Sequence, residues 1–188
     1  MRRYLSSRGA EYGEVIVDDD GNPITLRGTI RGRTEPDSYG SGTIYKADGD
    51  EMVQVTASLL YKTVGDGLVV DGVVATPKRT SVGPILMAHF ALYAINEGYR
   101  TLETYLSAPE EGTPEFYQKL GFQPSQEWKE LIDTVIMPAR EEQGAFSNDA
   151  ERGKYRLYQY YSAALQAPAQ TVLREAQDSY LKYWEPQP

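Results

Sequence analysis

The segment Glu115–Phe122, EFYQKLGF, is an apolar and aromatic cluster that ends in Gly-Phe and closes a run reading strand, loop, helix, strand. With the preceding Thr-Pro it predicts a short helix that stops at Gly121, since glycine takes the left-handed conformation that terminates helices. Phe116, Leu120 and Phe122 are core residues on any reading. Tyr117 is different, because its phenol is either satisfied inside that core or aimed at a reacting group.

Upstream, SVGPILMAHFALYAINEGYR places Ile85, Leu86, His89, Leu92, Tyr93 and Asn96 at spacings of three and four. That period predicts a helix with Pro84 in its first turn and Gly98 as its left-handed cap. RTLETYLSA follows as a strand, with Leu102, Thr104 and Leu106 on one side and Glu103 and Tyr105 on the other. Before the helix, GLVVDGVVATP reads as a strand interrupted by Asp71-Gly72, a pair that predicts a bulge or a close backbone approach. Strand, helix and strand in this order form a βαβ unit whose two strands are expected to be parallel.

Residues 43–77 read as three strands of an antiparallel meander, separated by Asp48-Gly49-Asp50 and Gly65-Asp66-Gly67. Further upstream, Glu14–Val17 and Ile24–Gly28 flank hairpin turn chemistry, and residues 31–42 read as loop. The run Asp18-Asp19-Asp20 lacks the oxygen spacing and closing Glu of a calcium loop and reads as an exposed turn. Downstream, residues 125–137 predict a helix begun by Ser125 and broken by Pro138. A polar stretch then precedes two helices, over 149–166 and 169–184, whose tyrosines recur at helical spacing. The expected fold class is α+β of three-layer type, with a mixed, mostly antiparallel central sheet, a βαβ unit and C-terminal helices. Residues 1–137 are expected to form the main domain and residues 138–188 a helical C-terminal extension.

Composition narrows the chemistry. The chain has 188 residues, no cysteine and His89 as its single histidine, which removes thiol nucleophiles, disulfides, thiolate metal sites and a histidine-rich zinc centre. No metal is expected. A formal net charge of -8 argues against nucleic-acid binding and leans weakly toward a cationic partner. No run of about 18 apolar residues offers a membrane span. Arg2, Arg3 and Arg8 are not followed by an apolar region, so no secretory leader is read, the mature chain is expected to begin near Met1, and the expected location is cytoplasmic.

The loop PKRTSVG leads straight into a helix N-terminus, where free amides and the helix dipole suit a phosphate, with Lys78 and Arg79 adding positive charge and Ser81 and Gly83 allowing close approach. The loop is neither a Walker A element nor a dinucleotide fingerprint. Taken together, residues 68–124, and more loosely 43–67, resemble the GNAT superfamily of N-acetyltransferases. KRTSVG is similar to that family's pyrophosphate-wrapping loop of form Q/R-x-x-G-x-G/A, and EFYQKLGF is similar to its Phe-Tyr-x-x-Leu-Gly-Phe ending. The chain departs from the pattern at Lys78, at Ser81 for the first glycine, and at Glu110, seven residues before Tyr117, where the family often has asparagine. The loop is also about two residues short, and the two helices that normally follow the first strand are not evident in residues 18–42.

The resemblance implies acetyl-coenzyme A as cosubstrate and an amine, on a small molecule or a protein, as acceptor. It assigns coenzyme contacts to Val73, Val74, Ala75, Lys78, Arg79, Ser81, Val82, Gly83 and Pro84, and makes Tyr117 the candidate acid for the departing thiolate. Two carboxylates are candidates for the base, Asp71 at the expected bulge and Glu103 on the next strand. His89 shares its helix stripe with Ile85, Leu86 and Leu92, which favours a packed histidine over a catalytic one. A different class of function stays open: a non-catalytic scaffold of the same fold that binds a second copy or another protein through residues 148–184.

Overall fold

The computed structural model describes residues 2–6, 9–17, 23–32, 39–48, 51–75, 82–106, 109 and 111–180. Among the described residues, nine strands share one sheet in the order β1-β2-β3-β4-β5-β6-β7-β9-β8. β1 (Arg2–Ser6), β2 (Gly9–Val17), β3 (Pro23–Arg31), β4 (Gly40–Asp48), β5 (Glu51–Val64) and β6 (Gly67–Ala75) form an antiparallel meander. α1 (Val82–Asn96) then crosses to β7 (Thr101–Tyr105), which pairs with β6 in parallel. The fold is therefore α+β, with a mixed, mostly antiparallel sheet containing the predicted βαβ unit. Val15↔Thr25 and Ile16↔Ile24 pair as the hairpin reading requires.

α1 is buried almost all round, from Val82 to Ala94, because it lies between the sheet and α6 (Ala169–Tyr180). Its sequence is correspondingly apolar on every face, as a fully enclosed helix needs. Close approach to β3 depends on Gly28, where a Cβ would lie 2.8 Å from the Nδ1 of His89. His89 thus occupies the packed position its stripe predicts. Gly98, at φ 88°, ends the helix, and the amide of Tyr99 donates to the Ala94 carbonyl at 2.9 Å.

α2 (Thr113–Lys119) stops at Gly121, whose φ is 83°. Pro138 does not break the next helix. The helical path runs through α3 (Gln126–Leu131), a π turn over Ile132–Ile136 and α4 (Met137–Glu142), with the Met137 amide donating five residues back to Ile132. Proline supplies no amide and crowds the carbonyl four residues earlier, so a widened turn ahead of it lets the helix continue.

The predicted helix over 149–166 is also shorter. α5 (Asp149–Tyr161) gives way to β9 (Ala164–Pro168), which lies between β7 and β8 (Gln123–Pro124). β9 buries Leu165 and Ala167 in alternation and satisfies the second edge of β7. That edge overrides the helix preference of an alanine-rich stretch. β1 and the first half of β2 were not expected, and β3 extends through Arg31, inside the segment read as loop. The Asp18–Asp20 turn and Gly49-Asp50 lie outside the described residues.

Candidate functional site

The predicted interruption of β6 is present. Tyr61 pairs with Val70 and Leu60 pairs with Gly72, which leaves Asp71 as the extra residue of a bulge. At the same level the parallel ladder between β6 and β7 ends, its last rung being Val70 with Thr104. Beyond it, the described partners of β6 are all on β5, as far as Ala75 with Ala57, while β7 keeps β9 along its other edge from Thr101 to Tyr105. Among the described residues the β6–β7 ladder thus has a gap beyond the bulge, and one side of that gap is a strand edge carrying main-chain donors and acceptors.

The far end of this gap is the start of α1. A Cβ at Gly83 would lie 3.3 Å from the Phe116 ring and 3.8 Å from the Cβ of Ala75, so the end of β6, the first turn of α1 and the side of α2 meet there. The first-turn amides of a helix have no partner within the helix and carry its positive dipole end. Val82 and Gly83 are buried, and Pro84 is half-buried. Lys78, Arg79, Ser81 and Glu110 lie outside the described residues. Val73 and Ala75 are half-buried, while Val74 is exposed on the opposite sheet face.

Tyr117 reaches the mouth of the gap from α2. Its ring makes edge contacts with Phe116, at 5.1 Å between centroids, and Phe122, at 5.3 Å, and it is almost fully buried. Its hydroxyl shares a hydrogen bond with the side chain of Thr104, the residue on the last parallel rung. Burial pushes the phenol's pKa up, and the bond to Thr104 opposes that shift. At neutral pH Tyr117 is therefore protonated.

The two carboxylates sit on the other sheet face. Asp71 is exposed at the bulge, whereas Glu103 stands beside Val69, with Oε1 3.4 Å from a Cβ position at Gly67, directed back along the strand. The gap accordingly has a phenol on its helix side and the Asp71 carboxylate on its open side. His89 belongs to the α1–β3 packing, away from this arrangement.

The tyrosines of α5 are engaged within the chain. Tyr161 donates to the Phe122 carbonyl at 2.8 Å, Tyr158 accepts from the Gly112 amide at 3.1 Å, Tyr155 accepts from Arg140 at 3.2 Å, and Tyr160 donates to Asp133 at 2.6 Å. They fasten α5 to the residues around α2 and to the α3–α4 run. Sequence reasoning did not single out Thr104, which the structure places on the last parallel rung beside Tyr117. A threonine on the apolar side of a strand, next to the rung where a βαβ pair must diverge, was the available signal.

The chain is similar in structure to several solved acetyltransferases. With the ribosomal-protein-S18-alanine N-acetyltransferase from Escherichia coli it shares 18% identity at a TM-score of 0.40, over 49% of this chain and 57% of that one. With a Bacillus subtilis acetyltransferase solved in complex with CoA the values are 18% and 0.38, over 46% and 56% of the two chains. With nourseothricin acetyltransferase they are 13% and 0.43, over 89% and 96%. The chain spans little more than half the length of the first two. No family model matches the sequence, and no curated protein matches it.

Proposed function

We propose that the protein is an N-acetyltransferase that moves an acetyl group from acetyl-coenzyme A to an amine. The observation that carries this reading is the gap opening at the Asp71 bulge, with the Tyr117 phenol at its mouth and the first turn of α1 at its far end. An extended amide-bearing chain fits beside a free strand edge, and a pyrophosphate fits a helix start. Val82 and Gly83, the last two residues of the GNAT-like KRTSVG, and Phe116 and Tyr117 of EFYQKLGF lie at these same two ends of the gap.

In this reading the acceptor amine approaches from the open sheet face. Asp71, directly or through water, takes a proton from the ammonium, and the free amine attacks the acetyl carbon. The carbon–sulfur bond breaks as the thiolate takes the proton of Tyr117, and the nitrogen gives up its second proton to restore the phenol. Asp71 releases the first proton to solvent, so the balance is one amide, one thiol and one proton formed from ammonium and thioester. Glu103, directed toward Gly67, serves less well as base than Asp71.

The test is release of free thiol from acetyl-coenzyme A against a panel of amines, with Asp71→Asn beside the wild type. The expected result is amine-dependent release, with the variant slowed by about 100-fold in kcat and thioester binding retained. Unchanged turnover in Asp71→Asn returns this residue to a purely structural bulge.

A further inference from the structure

We infer that the open sheet face around Gly72 is the acceptor subsite and is shaped for a primary amine with a compact apolar body, an aryl or branched alkyl group without a second charge. The inference rests on the acetyl-transfer reading above and names the class of its acceptor. The bulge builds the cradle. Asp71 and Gly72 together oppose Leu60 across the β5–β6 ladder, and both are exposed between the buried Val70 and the half-buried Val73. Glycine leaves the centre of this cluster empty. A Cβ at Gly72 would meet nothing within 4 Å, and its φ lies outside the left-handed region, so the backbone itself does not demand glycine there.

Three apolar side chains stand around that opening. Leu60, 50% exposed between the buried Leu59 and Tyr61, is the direct cross-strand partner of Gly72. Val74, 64% exposed, pairs with Ser58 and so lies diagonally from Leu60, about 7–8 Å away across the empty position. Tyr105, 65% exposed, follows Thr104 on β7 as Asp71 follows Val70 on β6. Val70 and Thr104 share the last parallel rung with both side chains buried, so the next residue on each strand turns to the open face, one on either side of the gap.

Each group limits the occupant. An exposed carboxylate holds an ammonium weakly, so most of the affinity must come from apolar surface that Leu60, Val74 and Tyr105 withdraw from water. The face of the Tyr105 ring attracts the same ammonium. A carboxylate on the acceptor, as in an amino acid, is repelled by Asp71, and a second ammonium loses its water against aliphatic side chains with no partner gained. The amine that fits places its nitrogen at Asp71 and its apolar body over Gly72, and it leaves as its N-acetyl amide by the step balanced above.

Binding and turnover of the full chain test this separately. With 13C-labelled tyrosine rings, the Tyr105 resonance, assigned by its loss in Tyr105→Leu, should shift on titration with 2-phenylethylamine and stay in place with 1,4-diaminobutane. A resonance that 2-phenylethylamine does not move overturns the inference whatever the enzyme does. In the thiol-release assay, kcat/KM for 2-phenylethylamine should exceed that for 1,4-diaminobutane and for phenylalanine by about 100-fold. Leu60→Ser, Tyr105→Ser and Gly72→Leu, the last filling the opening, should each lower the ratio of kcat/KM for 2-phenylethylamine to that for methylamine about tenfold, a ratio that partial unfolding does not alter. Equal kcat/KM for all the amines, or a ratio unmoved in the three variants, overturns the acceptor class and leaves acetyl transfer standing. A dimer in sedimentation that Leu60→Arg dissociates assigns this face to a second copy and overturns it too. No thiol release by the wild type, with the Tyr105 shift present, sinks the transfer reading and the acceptor role with it, while the apolar-amine site itself stands.

Discussion

Tyr117 and Asp71 approach one opening from opposite sheet faces, and their surroundings differ as the proposed acid and base roles require. The phenol is enclosed by two aromatic rings and kept protonated, whereas the carboxylate stands in solvent on an extra residue of the strand. Tyr117→Phe keeps the ring and both edge contacts and loses only the bond to Thr104, so it should cost about 1 kcal/mol of stability while lowering kcat about 100-fold. Urea unfolding and steady-state kinetics on one preparation check the two halves of that statement. At this scale the sequence was informative about residue types. Asp-Gly among valines announced the bulge, and the Phe-Tyr pair singled out the hydroxyl. It left Asp71 and Glu103 equal as candidate bases, because the direction of Asp71 at the bulge depends on register with β5, which the run of valines leaves open.

Among the elements, α2 is held in place by its two ends. The Tyr158 hydroxyl accepts from the amide of Gly112 before its first turn, and Gly121 closes its last turn against α6. At φ 83°, with a Cβ that would come 2.6 Å from the Cγ2 of Thr171, Gly121 has no room for alanine. Gly121→Ala should therefore destabilise the protein by about 2 kcal/mol or more, the left-handed strain and the clash acting together. A denaturation midpoint equal to wild type would contradict this account of how α2 is seated. Helix α1 and its caps were legible because period, Pro84 and Gly98 all agree. β9 was not, since Ala-Leu-Gln-Ala favours a helix locally and becomes a strand only because β7 offers it an edge. Pro138 misled for a similar reason: the proline rule is local, and the π turn answers it within one turn.

Over the whole molecule, the layers put α1 between the sheet and α6 and leave the other face of β5–β7 with Leu60, Val64, Val74 and Tyr105 exposed. The core contains tyrosines whose hydroxyls must stay protonated. Tyr61 donates to Arg31 and shares a hydrogen bond with Tyr93, and burial drives its pKa far up; Tyr161 is pushed up by burial to about 12 from its ordinary 10.0. A phenol whose folded pKa exceeds its unfolded one contributes stability that is complete below the unfolded value and is lost as pH rises through the folded one. Unfolding free energy should thus fall steadily from pH about 10 to about 12. Tyr161→Phe, though less stable at neutral pH through the lost bond to Phe122, should show a shallower fall; an identical slope in the variant would remove Tyr161 from the explanation.

The most direct test of acetyl transfer is calorimetric titration of the full chain with acetyl-coenzyme A, followed in the same sample by thiol release on addition of amine. The account predicts binding at micromolar concentration and release that requires both the amine and the Tyr117 hydroxyl. Absence of any heat of binding up to millimolar acetyl-coenzyme A would contradict it.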